Sequence, residues 1–188
     1  MFFQKEILIT KTSVIMKKVL YIFILISFFS LKGIAQEGEH EYEKKNLLTV
    51  ALGYTYIPNG SEVHIEEETG VFIPTFGLDY FRRLSSHFEV GLMADIELGE
   101  YLIIEKDLHR ENAFLLVAML NYNLTKHINF LAGGGMEFEK NKNLGIIRLG
   151  AEYVFKLKKE WVILPGFFYD FKEGTNTWAL SIGFGKEF

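Results

Sequence analysis

The sequence predicts an all-β protein, an eight-stranded antiparallel transmembrane up-and-down β-barrel preceded by a cleavable signal peptide. Three observations predict it. A short apolar leader lies near the N-terminus, and beyond residue 45 the chain alternates large apolar with small or polar residues in eight successive segments. The apolar phase also carries more bulk than the inside of so small a barrel can hold. Alternation of period two puts every second side chain on one face of a strand. Only Tyr101 to Leu108 leaves room for a helical reading.

Residues 1–15 precede a better start at Met16 and read as an over-extended start. Met16-Lys17-Lys18 is a basic opening, Val19 to Leu31 an apolar run, and Gly33-Ile34-Ala35 places small residues where a signal peptidase reads. The run is shorter than the roughly 20 apolar residues a spanning helix needs. Residues 16–35 are therefore expected to be a signal peptide, with the mature chain beginning at Gln36. Residues 36–45 form an acidic periplasmic tail, and residues 46–188 the barrel. The leader holds five lysines against one glutamate, so the whole-chain charge of −4 becomes −8 in the mature part. That sign argues against a nucleic-acid partner. The absence of cysteine excludes disulfides and a lipoprotein anchor.

The segments follow by their apolar phase. Leu48, Val50, Leu52, Tyr54 and Tyr56 mark the first, and Phe72, Pro74, Phe76, Leu78 and Tyr80 the second. Phe88, Val90, Leu92, Ala94, Ile96 and Leu98 mark the third. The fourth, Ala113 to Tyr122, is apolar in both phases. Phe130, Ala132, Gly134, Met136 and Phe138 mark the fifth, and Ile147, Leu149, Ala151, Tyr153 and Phe155 the sixth. Trp161, Ile163, Pro165, Phe167, Tyr169 and Phe171 mark the seventh, and Trp178, Leu180, Ile182, Phe184 and Phe188 the eighth. Pro74 and Pro165 each remove a ladder donor, so a bulge or a gap is expected at both.

An eight-stranded interior is just wide enough for side chains to fill. About five bulky residues from every strand would overfill it, whereas Gly, Thr, Ala and a few charges fit. The apolar phase must then face lipid. Links near 82–87, 124–127 and 156–160 are short, while those near 58–70 and 99–111 are long. Links 139–143 and 172–176 are also short. Aromatic residues gather at strand ends, with Tyr54, Tyr56, Phe72, Phe138, Tyr169 and Trp178 toward one interface and Tyr80, Phe88, Tyr122, Phe130, Trp161 and Phe188 toward the other. Charge divides too. The short links carry Arg82, Arg83, Lys126, Lys156, Lys158 and Lys159, and the first long link Glu62, Glu66, Glu67 and Glu68.

The chain closes on Phe188, with Phe184, Ile182 and Leu180 in its phase. Over residues 46–188 the sequence resembles the small outer-membrane β-barrels of the OmpA-domain and OmpX type. In that family a terminal phenylalanine on an amphipathic last strand is the assembly signal, so the resemblance implies that Phe188, Phe184, Ile182 and Leu180 are read by the barrel-assembly machinery. Lys186 departs from the apolar residue usual there. The resemblance further implies a Gram-negative outer membrane, with its lipid and lipopolysaccharide as surroundings.

No catalytic, cofactor or metal site is expected. Gly133-Gly134-Gly135 lies within a strand, with no following helix or Lys-Ser/Thr, and reads as a bend or close packing. Ser85-Ser86-His87 falls in a short turn and reads as turn chemistry. His64 among Glu62, Glu66, Glu67 and Glu68 has no calcium-loop spacing and reads as a solvated loop. Tyr101 to Ile104 extends the third segment, either as a ribbon, the favoured reading, or as a short helix closing the mouth.

By phase, Asp79, Glu89, Asp95, Glu97, Glu137, Glu152 and Asp170 point into the lumen, with Arg148 the one basic residue well inside. Arg83 and Lys156 lie near the rim. Like charges so confined raise one another's pKa. Arg148 is therefore expected to bond two of these acids, Glu152 on its own strand and one across the barrel, and the lumen to be occupied rather than a general pore. The function expected is that of an integral outer-membrane protein, non-enzymatic, with loops 58–70 and 99–111 in a structural or partner-binding role. The alternatives are a lipid-modifying enzyme or small hydrophobic-ligand transporter using a slot at Met93, Leu115, Val117, Met119 and Leu131, and a soluble lipid-binding barrel of lipocalin type.

Overall fold

The computed structural model describes residues 45–62 and 70–188. The leader, the tail up to residue 44 and the His64 loop lie outside the described residues.

The strands in chain order are β1 (Asn46–Ile57), β2 (Gly60–Ser61), β3 (Val71–Arg83), β4 (Phe88–Glu97), β5 (Glu100–Ile103), β6 (Leu108–Glu111), β7 (Phe114–Asn123), β8 (Ile128–Phe138), β9 (Leu144–Tyr153), β10 (Phe155–Lys156), β11 (Trp161–Lys172) and β12 (Thr177–Glu187). The eight long ones pair antiparallel in the circuit β1-β3-β4-β7-β8-β9-β11-β12, and β12 returns to β1. Asn46 and Phe188 seal that seam with reciprocal backbone hydrogen bonds of 2.9 and 2.8 Å.

Each ladder of the circuit keeps one register from end to end. Opposed residues run from Thr49 through Asp79, Met93, Val117, Gly135 and Ile146 to Lys172. Carrying the last two registers through returns to β1 ten residues further along. A stagger of that size over eight strands tilts them by about 40° from the barrel axis, given the usual rise and strand spacing.

Exposure identifies the two faces. Leu52, Ile147 and Ile182 stand 64, 62 and 63% exposed on the outer wall, whereas Glu137 and Asp79 inside are 1 and 4% exposed. Apolar residues outside and charges inside is the arrangement of a wall meant for lipid. Rings cluster on the outer surface at both ends. Tyr56 lies 4.7 Å from Phe72 and 5.0 Å from Trp178 at one end, and Trp161 stacks on Phe184 at 4.6 Å near the other.

Neither proline shifts the register of its ladder, and only Pro165 interrupts one. Opposite Pro165 and Leu164, at Tyr153 and Val154, pairing with β11 lapses, so β9 and β10 are two pieces of one strand in step along β11. Pro74 sits opposite Tyr54 in the β1–β3 ladder, and the β3–β4 ladder begins only at Thr75. The Pro165 site is a local gap; at Pro74 the β1–β3 ladder runs on and the Leu98 N–H donates to the Pro74 carbonyl at 2.8 Å, so the interruption expected there is absent. The glycine run of β8 serves close approach, since a Cβ on Gly133 or Gly135 would overlap the carbonyl of Ala118 or Leu116 on β7.

Two of the short turns share one construction. Ser85 Oγ accepts from the backbone N–H of His87 and Phe88, and Thr125 Oγ1 accepts from His127 and Ile128. In each turn the histidine ring stacks on a tyrosine, His87 on Tyr122 and His127 on Tyr153.

Candidate functional site

The lumen is stratified. Nearest the short turns, Glu89 accepts from Arg83 Nε at 2.9 Å and from the amides of Asn121 and Asn123 at 3.1 and 3.2 Å. Farther in lies an apolar layer that includes Phe81, Met93, Met119, Leu131 and Phe168. Leu115 and Val117, 1 and 0% exposed, belong to the same packed cluster, so the positions read as a slot are filled by one another.

Toward the loop end comes Arg148. Its guanidinium donates from Nε and Nη2 to Asp170 at 2.7 and 2.9 Å, and from Nη1 to Asp95 at 2.5 Å. Glu152 is not its partner. The reason is geometric: four residues along a strand is about 13 Å, whereas Asp170 stands directly opposite Arg148 in the β9–β11 ladder. Asp95 reaches it from β4, across the lumen. Asp79 and Glu152 point inward without an ion pair among the described residues.

Arg148 is also not the only cation well inside. Lys172 Nζ lies 3.2 Å from Glu97 and 2.8 Å from Glu137, its side chain 1% exposed. The sequence reading assigned it to a turn, but β11 runs one residue further than its last aromatic. Arg110, wholly buried, bonds Glu137, Glu139 and the Lys142 carbonyl. Its inward placement reverses the phase of β7. Opposed residues there follow one register to Ile96 and Phe114, while the β5–β6 hairpin follows another, displaced by one residue. Asn112 absorbs the step with a φ of +48°, and its Oδ1 accepts from the Gly99 N–H at 3.2 Å. Without that step Glu111, not Arg110, would face the lumen.

The hairpin forms a three-stranded sheet in the order β2-β5-β6. The ribbon reading of Tyr101 to Ile104 describes it, with a single 3₁₀ turn at Ile104–Lys106. Its inner face is buried. Tyr101 and Ile103 pack with Ile57, Val71 and Ile73, and the Tyr101 hydroxyl donates to Glu97 at 3.1 Å. Burial, then the Glu97 and Glu137 carboxylates, push that hydroxyl well above its ordinary pKa. The far edge of β6 is occupied as well, since the Asn141 amide donates to the His109 carbonyl at 2.8 Å.

At the opposite end a cavity of about 380 Å³ opens between the short turns. Ser86 and His87 lie on its rim, with Ser86 Oγ 2.8 Å from His87 Nδ1 and both groups exposed. Among the described residues no group of three or more histidine, aspartate or glutamate side chains is placed to hold a metal ion. Of the assembly-signal residues, Leu180, Ile182 and Phe184 face outward on β12, 55, 63 and 49% exposed, and Phe188 closes the seam. Lys186 lies over the Trp161 ring at 5.4 Å.

No family model and no curated protein matches the chain by sequence. Solved structures match by shape. The attachment invasion locus protein Ail of Yersinia pestis is 11% identical, with a TM-score of 0.51, over 77% of this chain and 99% of that one. Ail in complex with the heparin analogue sucrose octasulfate is 13% identical, with a TM-score of 0.50, over the same shares. The β-barrel domain of Pseudomonas aeruginosa OprF also matches, at 12% identity and a TM-score of 0.49 over 77% of this chain and 98% of that one. Closed circuit, apolar wall and charged lumen together give this chain the fold of the small eight-stranded outer-membrane β-barrels, the OmpA-domain and OmpX type its sequence resembles.

Proposed function

We propose that the chain is a non-enzymatic outer-membrane barrel, exported by its leader, whose loop end faces the outside and carries a structural or partner-binding role. The folded β5–β6 hairpin is the observation that carries this reading. It gives one end of the barrel a fixed surface, pinned at Tyr101 and Arg110, while the other end has only short turns. Small barrels place their longer loops outward and their short turns toward the periplasm. The rest of the outer wall meets lipid and lipopolysaccharide, and the assembly machinery reads β12 through Phe188. Against the enzyme reading, Ser86 and His87 are neighbours on an exposed turn, and among the described residues no carboxylate or other side chain hydrogen-bonds the second nitrogen of the histidine. Against the transporter reading, the slot positions pack on one another.

An epitope tag inserted beside Asp107, at the hairpin tip, should be labelled by antibody on intact cells. The same tag in the turn 157–160 should be labelled only after permeabilisation. The opposite pattern would reverse the orientation and remove the functional reading with it.

A further inference from the structure

The cavity between the short turns has no part in that reading, yet it is built differently from the rest of the lumen. It is blind, because the layer of Met93, Met119, Leu131 and Phe168 lies between it and the loop end. Its wall is divided. Val154, Val162 and Leu164, with Leu47 packed against them, make an aliphatic side. Arg83, Glu89, Asn123 and Asn129 make a polar side. Arg83 is held by Glu89 and Glu187, and Asn123 by Glu89. Asn129, 6% exposed, lines the cavity and has no side-chain partner among the described residues. At the mouth stand Lys126 and Lys156, both without an ion pair among the described residues. In a mature chain of charge −8, two unpaired ammonium groups at one opening reverse the local sign. A concave site with a mainly aliphatic side, a few polar groups and this volume lies in the size range of small-molecule pockets.

We propose that this vestibule binds a short-chain amphipathic anion, a carboxylate or phosphate monoester bearing an alkyl tail. The headgroup sits between Lys126 and Lys156 at the aqueous mouth. The tail lies inward along Val154, Val162 and Leu164, and the Asn129 amide is free to bond a polar substituent on it. Coulomb attraction to two exposed ammonium groups supplies a modest, salt-screened part of the binding, and burial of the alkyl groups adds in proportion to their area. Neither half of the ligand suffices alone.

The test uses the mature barrel in nanodiscs of zwitterionic lipid, followed by the methyl signals of Val162 and Leu164 and the side-chain amide of Asn129. Octanoate, octyl phosphate, acetate, inorganic phosphate and octan-1-ol are titrated in turn. Saturable binding of octanoate or octyl phosphate, with the other three weaker by about tenfold or more, supports the site, and the tighter of the two identifies the headgroup. The double variant K126Q/K156Q should weaken that binding about tenfold while the folded barrel's gel mobility stays unchanged. Three results would overturn the proposal. Acetate or inorganic phosphate binding as tightly means an adventitious ion only. Octan-1-ol matching the anions, or shifts that never saturate, means partition into the bilayer. Unaltered affinity in the double variant means the lysines are not the headgroup site.

Discussion

Arg148 illustrates how one residue organises a confined interior. Three of its donors are used, two on Asp170 and one on Asp95, so one guanidinium serves carboxylates from two other strands. Methionine in its place preserves most of the volume and strands both acids in a confined, buried site. R148M should therefore cost about 3–5 kcal/mol, the range for breaking a buried ion pair by removing one partner. Urea unfolding from lipid vesicles would measure it, and a midpoint equal to wild type would mean the network contributes nothing to stability. Strand phase alone turned these side chains inward, because alternation decides facing. It could not assign the partners, which depend on the registers of ladders between strands distant in the sequence.

Besides the packing of Tyr101 and Ile103, the β5–β6 hairpin is held by the buried Arg110 clamp, which the one-residue step at Asn112 turns inward. R110Q should loosen it without opening the barrel. Limited proteolysis of the folded protein should then cut between residues 99 and 112 at least about tenfold faster than in wild type, in line with the loss of a kcal/mol or more of local stability. Equal cleavage rates would show that Tyr101 and its apolar neighbours hold the hairpin unaided. Most of the long strands were legible because their apolar phase alternates along their length, and β7, apolar in both phases, because its apolar run is as long as theirs. Arg110 was not, since a phase reversal at a single positive-φ asparagine leaves no periodic trace. Lys172 was missed for a related reason: a charged residue at a strand end reads as a turn until its opposed residue, Ile146, is known.

At the scale of the whole molecule, two tiers of ion pairs and an apolar layer lie across the lumen. Vesicles carrying the protein should show sugar permeability no greater than protein-free vesicles, and any small conductance should favour cations, given the surplus of inward carboxylates. Sugar flux or anion selectivity would contradict this account of the interior. Closure leaves no unpaired barrel edge, so the unboiled protein should migrate differently from the boiled protein on a denaturing gel. Identical mobility would contradict a closed barrel.

The seam at Asn46 and Phe188 bears on the history of each molecule as well as its final form. β1 precedes every other described strand, yet half of its hydrogen bonds wait for β12, which follows them all. The Asn46 side chain reaches a carbonyl 142 positions away. No partial chain can satisfy its first strand, and closing so long a loop comes late and slowly. Moving the seam separates chemistry from order of arrival. A circular permutant opened at the turn 84–87, with residues 188 and 46 joined through a short linker, keeps every strand pair. It should refold in detergent to the same heat-sensitive species, while in cells it presents β3 last and accumulates unassembled. Efficient assembly of that permutant would mean that the cell checks the closed product and ignores which strand came last.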